Sequence, residues 1–147
     1  GRVATGGTGG VDYFTLATAG AANGTSDPGY TNAVNVLNAL RITEIMYNPA
    51  GGNNFEFIEL TNIGAASLNL AGVQFFDGID FTFPPGYMLA AGAETVLVRN
   101  VASFQSRYGT ALNVAGTYTG ALDNNGEQLA LRLDELRHAG VSQAIRG

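Results

Sequence analysis

From Arg41 onward the sequence is a succession of short runs of β-forming residues, each ended by turn chemistry. Arg41–Tyr47 stops at Asn48-Pro49 and Gly51-Gly52, and Phe55–Leu60 closes at Asn62 and Gly64. Leu68 and Leu70 lead to a turn at Gly72, Val73–Phe76 stops at Asp77-Gly78, and Ile79–Phe83 stops at Pro84-Pro85-Gly86. Thr95–Val98 continues the series. A repeat of roughly 8–12 residues per strand and turn is what a sandwich or barrel requires, because each short strand must return across the same core. The cleanest two-residue period runs from Gln128 to Asp134, with Leu129, Leu131 and Leu133 on one face, and Asn125-Gly126 before it is a strong hairpin signal. Beyond Leu133 the pattern is ambiguous, since Leu129, Leu133 and Leu136 also fit a helix. One helical turn is predicted between the strands. Asn100 caps it, Val101, Phe104 and Tyr108 share a face, and Gly109 ends it.

Composition narrows the function classes. Hydrophobic residues make up 46% and charged residues 13% of the 147, which favours a packed domain over a disordered chain. The net charge is −5, and the seven basic residues are all arginines scattered along the sequence. Nucleic-acid binding needs a concentrated basic face to displace counterions, so it is disfavoured, as is adsorption to an anionic membrane. With no cysteine there are no disulfides or thiolate metal sites. No apolar run approaches the ~18 residues of a spanning helix, so membrane insertion is not expected. Residues 1–29 are rich in Gly, Ala and Thr around one strand-like run, Asp12–Leu16, and residues 30–40 read as a linker or a weak helical turn.

The order of motifs then becomes specific. Ile42-Thr43-Glu44-Ile45-Met46-Tyr47-Asn48-Pro49, followed by Phe57-Ile58-Glu59-Leu60-Thr61-Asn62, resembles the opening strand pair of bacterial lamin-tail domains. Leu68-x-Leu70-x-Gly72, Phe75, Phe81-x-Phe83-Pro84, Leu89, Gly92 and Asp123-Asn124-Asn125-Gly126-Glu127-x-Leu129-x-Leu131 continue it, so the resemblance covers residues 41–133. It implies an all-β fold, an immunoglobulin-like β-sandwich, with the one short helical turn added. It also implies a non-catalytic structural or protein-interaction module of an exported, multidomain bacterial protein, placed outside the cell or on its surface. Glu44, Asn48, Pro49, Glu59, Asn62, Gly72 and Gly126 are the structural residues of the motif. The family's aromatic closing strand is not evident in residues 134–147. Arg2-Val3 with Tyr13–Thr18 instead looks like the closing strand of a preceding copy. The division expected is therefore residues 1–40 as the end of a preceding module or linker, contributing one strand through Tyr13–Leu16, and residues 41–147 as the sandwich.

Candidate chemistry is sparse. His138, the one histidine, has neither a G-x-S-x-G elbow nor a cysteine to serve. Glu44, Glu56 and Glu59 could pair as glycosidase carboxylates, but acids alternating with apolar residues usually mark a strand's solvent face. A buried one would hydrogen-bond loop amides. Asp77 and Asp80, and Asp123 and Glu127, hold loop oxygens that a calcium ion could use, against a simpler reading as turns. Gly6–Gly10 lacks the lysine of a phosphate loop, and Asn23-Gly24-Thr25 matches a glycosylation triplet that arises often by chance. Phe75, Phe76, Tyr87 and Tyr118 could form an aromatic platform, although most should be core. The alternative function is a carbohydrate-binding module on a secreted hydrolase, weakened by the absence of tryptophan. No cofactor is expected, and the protein partner is not identified by the sequence.

Overall fold

A computed structural model describes residues 2–4, 11–13, 28–123, 126 and 128–133. In chain order the elements are β1 (Arg2–Ala4), β2 (Val11–Tyr13), α1 (Pro28–Ala39), β3 (Leu40–Met46), β4 (Phe57–Asn62), β5 (Leu68–Asn69) and β6 (Val73–Asp77). They continue as β7 (Ile79–Thr82), β8 (Met88–Leu89), β9 (Glu94–Val98), α2 (Val101–Tyr108), β10 (Val114–Thr117), β11 (Thr119–Gly120) and β12 (Ala130–Leu133). A 3₁₀ turn, Asn53–Phe55, precedes β4.

Two four-stranded sheets form the body, in the orders β10-β9-β4-β3 and β11-β7-β6-β12. They share one apolar cluster, to which the first sheet gives Leu40, Ile58, Leu60 and Leu97 and the second gives Val73, Phe75, Ile79, Leu131 and Leu133. The two-residue period of a strand explains the selection. Ile58 and Leu60 face the second sheet, while Phe57 points to the other side, into a separate cluster with Val96, Val98 and Phe104 of α2. The first sheet thus has a core face and an outer face, and α2 covers part of the outer one. There Phe57, Phe104 and Tyr108 meet with ring centroids 4.9–5.4 Å apart.

The expectation of an all-β fold with one helical turn needs correction: the protein is mostly β, with two helices, and remains consistent with an immunoglobulin-like arrangement. In place of the linker or weak helical turn expected over residues 30–40, Leu40 opens β3 and residues 28–39 form the twelve-residue α1. Its Asn, Thr, Val and Gly residues are poor helix formers, which hid it. Tertiary packing overrides that preference, because Ala33, Val36 and Leu40 are buried in the main cluster, with Leu37 packed against it. The helix passes into β3 without a loop. Arg41 folds back and donates to the carbonyls of Leu37 (3.0 Å), Asn38 (2.9 Å) and Leu40 (2.7 Å), satisfying acceptors that the helix end leaves open.

α2 is the element the sequence placed best. Asn100 accepts a hydrogen bond from the Ser103 amide at 2.9 Å, and Gly109 follows the last turn with φ 80°. It is eight residues long, and it connects β9 to a parallel β10, the crossover that parallel strands require. β12 keeps the predicted alternation, since Leu131 and Leu133 lie opposite Phe75 and Val73 while Arg132 donates to Gln74 at 2.7 Å. The described part of the strand expected over Tyr13–Leu16 pairs with β1, and its remaining residues lie outside the described ones.

Between β10 and β11 the chain leaves one sheet and enters the other. β10 pairs with β9 in the first sheet, and two residues later Thr119 pairs with Asp80 of β7 in the second. Gly116 makes the crossing close. A Cβ there would stand 2.8 Å from the Phe81 ring, nearer than real contacts allow.

Candidate functional site

Two polar sites stand out; the residue just before β4 supplies a glutamate to one and β4 itself to the other. The first is the corner where the chain switches sheets. Glu56 is extended, and period two turns it toward the side of Ile58 and Leu60, so its carboxylate enters the interior at 1% exposure. One oxygen, Oε2, accepts from the Tyr118 hydroxyl at 3.2 Å and from the Leu122 amide at 3.4 Å. Arg99, whose amide donates to the Glu56 carbonyl, brings a guanidinium to the same end of the sheet. Among the described residues, Glu56 Oε1 and Arg99 Nη1 are both buried without a hydrogen-bond partner. With Tyr118 at 2% exposure, no substrate reaches this carboxylate. It is a fastening between three chain segments, tying the start of β4 to the sheet-switching residue and to the segment after β11.

The second site is the uncovered half of the first sheet's outer face. A bulge in β3 between Ile42 and Glu44 puts one extra residue opposite β4. Thr43 and Glu44 therefore both face Glu59, with Glu44 its register partner. The Thr43 hydroxyl donates to Glu59 Oε1 at 2.6 Å and lies 3.0 Å from the Thr61 hydroxyl. Thr61 is in register with Glu94 of β9. Among the described residues Glu44, Glu59 and Glu94 form no ion pair. Arg41, in register with Thr61, has committed its donors to the end of α1. β3 is the terminal strand of this sheet, so among the described residues its outer edge carries no neighbour.

The other motif residues sit apart from these two sites. Asn62 is wholly buried: its Nδ2 donates to the carbonyls of Ala66, Leu89 and Ala90 at 2.9–3.0 Å, and its Oδ1 accepts from the Gly64 amide. Asn48 is exposed and Pro49 buried, and the Pro49 carbonyl accepts from Gly52 in the turn between β3 and β4. The same turn is held by Arg107 of α2, which donates to the Ala50 carbonyl and stacks 3.8 Å above the Phe55 ring. Gly72 and Gly126 take positive φ, 76° and 99°, which suits glycine and accounts for the turns read there.

Among the described residues the calcium candidates Asp77, Asp80 and Asp123 form no acidic cluster. Asp77 and Asp80 flank the Gly78 turn on the surface, with Asp77 Oδ1 accepting from the Gly78 amide, and Asp80 lies in register with Thr119. Asp123 is exposed, and Glu127 lies outside the described residues, as does His138. Among the described residues no three acidic or histidine side chains group around a common point. The four aromatics do not form a platform either. Phe75 and Tyr118 are buried, Tyr87 is half-buried with its hydroxyl 2.6 Å from that of Thr95, and Arg132 lies 4.9 Å over the Phe76 ring. Sequence reasoning missed Glu56 as a structural residue, although its parity with Ile58 and Leu60 was a usable signal.

A mostly β chain built as two facing sheets, with the Glu59–Asn62 motif closing β4, fits one family in particular. The lamin tail domain family matches residues 33–142, and the chain belongs to it. The match opens within α1, in keeping with that helix's place in the core. This family is a non-catalytic module, and no catalytic domain is detected beside it. None of the curated proteins compared with the chain matches it.

Proposed function

We propose that this lamin tail domain is a non-catalytic protein-interaction module of an exported multidomain protein, and that it binds through β3 and the open half of the outer face. The observation that carries the reading is the contrast within one sheet. α2 covers the Phe57 half of the outer face, whereas among the described residues nothing covers the Glu59 half or pairs with the outer edge of β3. An exposed strand edge presents unpaired amides and carbonyls, and adding a strand to such an edge is a recurrent mode of peptide recognition. Catalysis is disfavoured because Glu56 is sealed in the core and Glu59 is held by Thr43 on a strand face. Export rests on the resemblance of residues 41–133 to modules of exported bacterial proteins. On the same ground residues 1–24 are read as the end of a preceding copy, whereas α1 packs into the core of this domain.

Panning phage-displayed random peptides against the immobilised chain tests the interaction. Selected peptides should lose binding to a Thr43→Pro variant, since proline is tolerated at edges and bulges but removes a donor. A matching circular dichroism spectrum and melting curve would show that this variant still folds. Failure to enrich any peptide, or binders indifferent to Thr43→Pro, would sink the reading. Recovery of the parent protein from the cytosol of its source cells would refute export.

A further inference from the structure

We infer that the free edge of β3 and the acidic half-face beside it receive an extended Lys- or Arg-rich segment of a partner protein, added to the sheet as a fifth strand; this rests on the interaction reading above. The charge pattern selects the occupant. Glu44 and Glu59 are direct cross-strand partners, and like charges so placed repel. Glu94 adds a third carboxylate on the same face, and Arg41, the cation in register there, is turned away to α1. A basic side chain on an incoming strand would stand one strand spacing, about 4.8 Å, from Glu44, with Glu59 one strand further in. Its charge would relieve the repulsion, while its backbone would satisfy the donors and acceptors of the β3 edge.

A second copy of the chain fits poorly. Antiparallel pairing of β3 with β3 would set the Glu44 and Glu59 face of one molecule beside the same acidic face of another, on a chain of net charge −5. Nor does the chain supply the segment itself, because its seven arginines are isolated and it has no lysine. The occupant is therefore a segment other than these 147 residues, one that alternates long basic residues with small or β-branched ones.

The test uses the full chain and a fluorescent nonapeptide alternating Lys with Val, followed by anisotropy. Three companion peptides accompany it: one with Glu for Lys, one with Thr for Lys, and one N-methylated at alternate residues to block one backbone edge. Binding of the Lys peptide alone, weakened at least about tenfold by Glu44→Gln/Glu59→Gln together, is the expected result. Shifts of the β3 amides in NMR spectra should accompany it. Binding that survives N-methylation would be charge adsorption and would overturn strand addition. Binding of the Thr peptide as well as the Lys peptide would overturn the basic partner while leaving the edge an interaction site. No binding by any of the four overturns this inference, whereas the phage selection decides the broader reading independently.

Discussion

Glu56 and Glu59 stand three residues apart along one extended segment and lead opposite lives. Glu56 is sealed at the corner, where its Oε2 collects two donors from segments 62 and 66 residues away. Glu59 lies on the outer face, tied to one neighbouring hydroxyl and set against another carboxylate. An odd separation along a strand puts two side chains on opposite faces, and the faces here differ in everything that matters to an acid. At the corner a carboxylate is an internal fastening whose loss strands its donors. On the outer face it is held by a single side-chain hydrogen bond, from the Thr43 hydroxyl. Residue type does not distinguish these roles; the parity of the position does.

This contrast can be broken by substitution. The largest effect is expected at the corner. Glu56→Ala leaves the Tyr118 hydroxyl and the Leu122 amide without their acceptor in the interior, at a cost of about 3–5 kcal/mol. Chemical denaturation would measure it, and a loss below about 1 kcal/mol would show that the corner is not a fastening. Glu56→Gln sharpens the comparison, since its amide oxygen still accepts both bonds. A loss well below that of alanine would assign the stabilisation to hydrogen bonding rather than to charge. Next comes Gly116→Val at the sheet crossing, where the new side chain meets the Phe81 ring. About 1–3 kcal/mol should be lost, read as a lower melting temperature. The smallest effect belongs to the open face. Glu44→Thr replaces half of a like-charge pair with a good strand former, so stability should stay level or rise by about 0.2–1 kcal/mol. A substantial loss there would mean that Glu44 carries structure.

Much of the architecture follows from local pattern. The strands at residues 41–47, 73–76, 79–83 and 95–98 were legible because β-branched and aromatic runs met turn residues that cannot continue them. The observed bounds differ by a residue or two at their ends. α2 was legible because its cap and its stop are local chemistry, Asn100 bonding a backbone amide three residues on and Gly109 taking positive φ. The shortest strands were not. Met88–Leu89 and Thr119–Gly120 are two residues each, too short for a period, and they exist because a partner strand lies alongside. α1 was hidden for the converse reason, a buried stripe on a sequence with little helical preference of its own.

The candidate site divides the same way. Sequence alone determined that Glu59 alternates with apolar neighbours and that Asn62 ends its strand, because two-residue periodicity and turn chemistry act between residues close in the chain. Which acids would meet was settled by tertiary structure. A one-residue bulge in β3 brought Thr43 and Glu44 together against Glu59. The switch of the chain between sheets carried Tyr118 to Glu56. Contacts between distant segments depend on register and on which strands become neighbours, and those are properties of the packed sheets rather than of any short stretch of sequence.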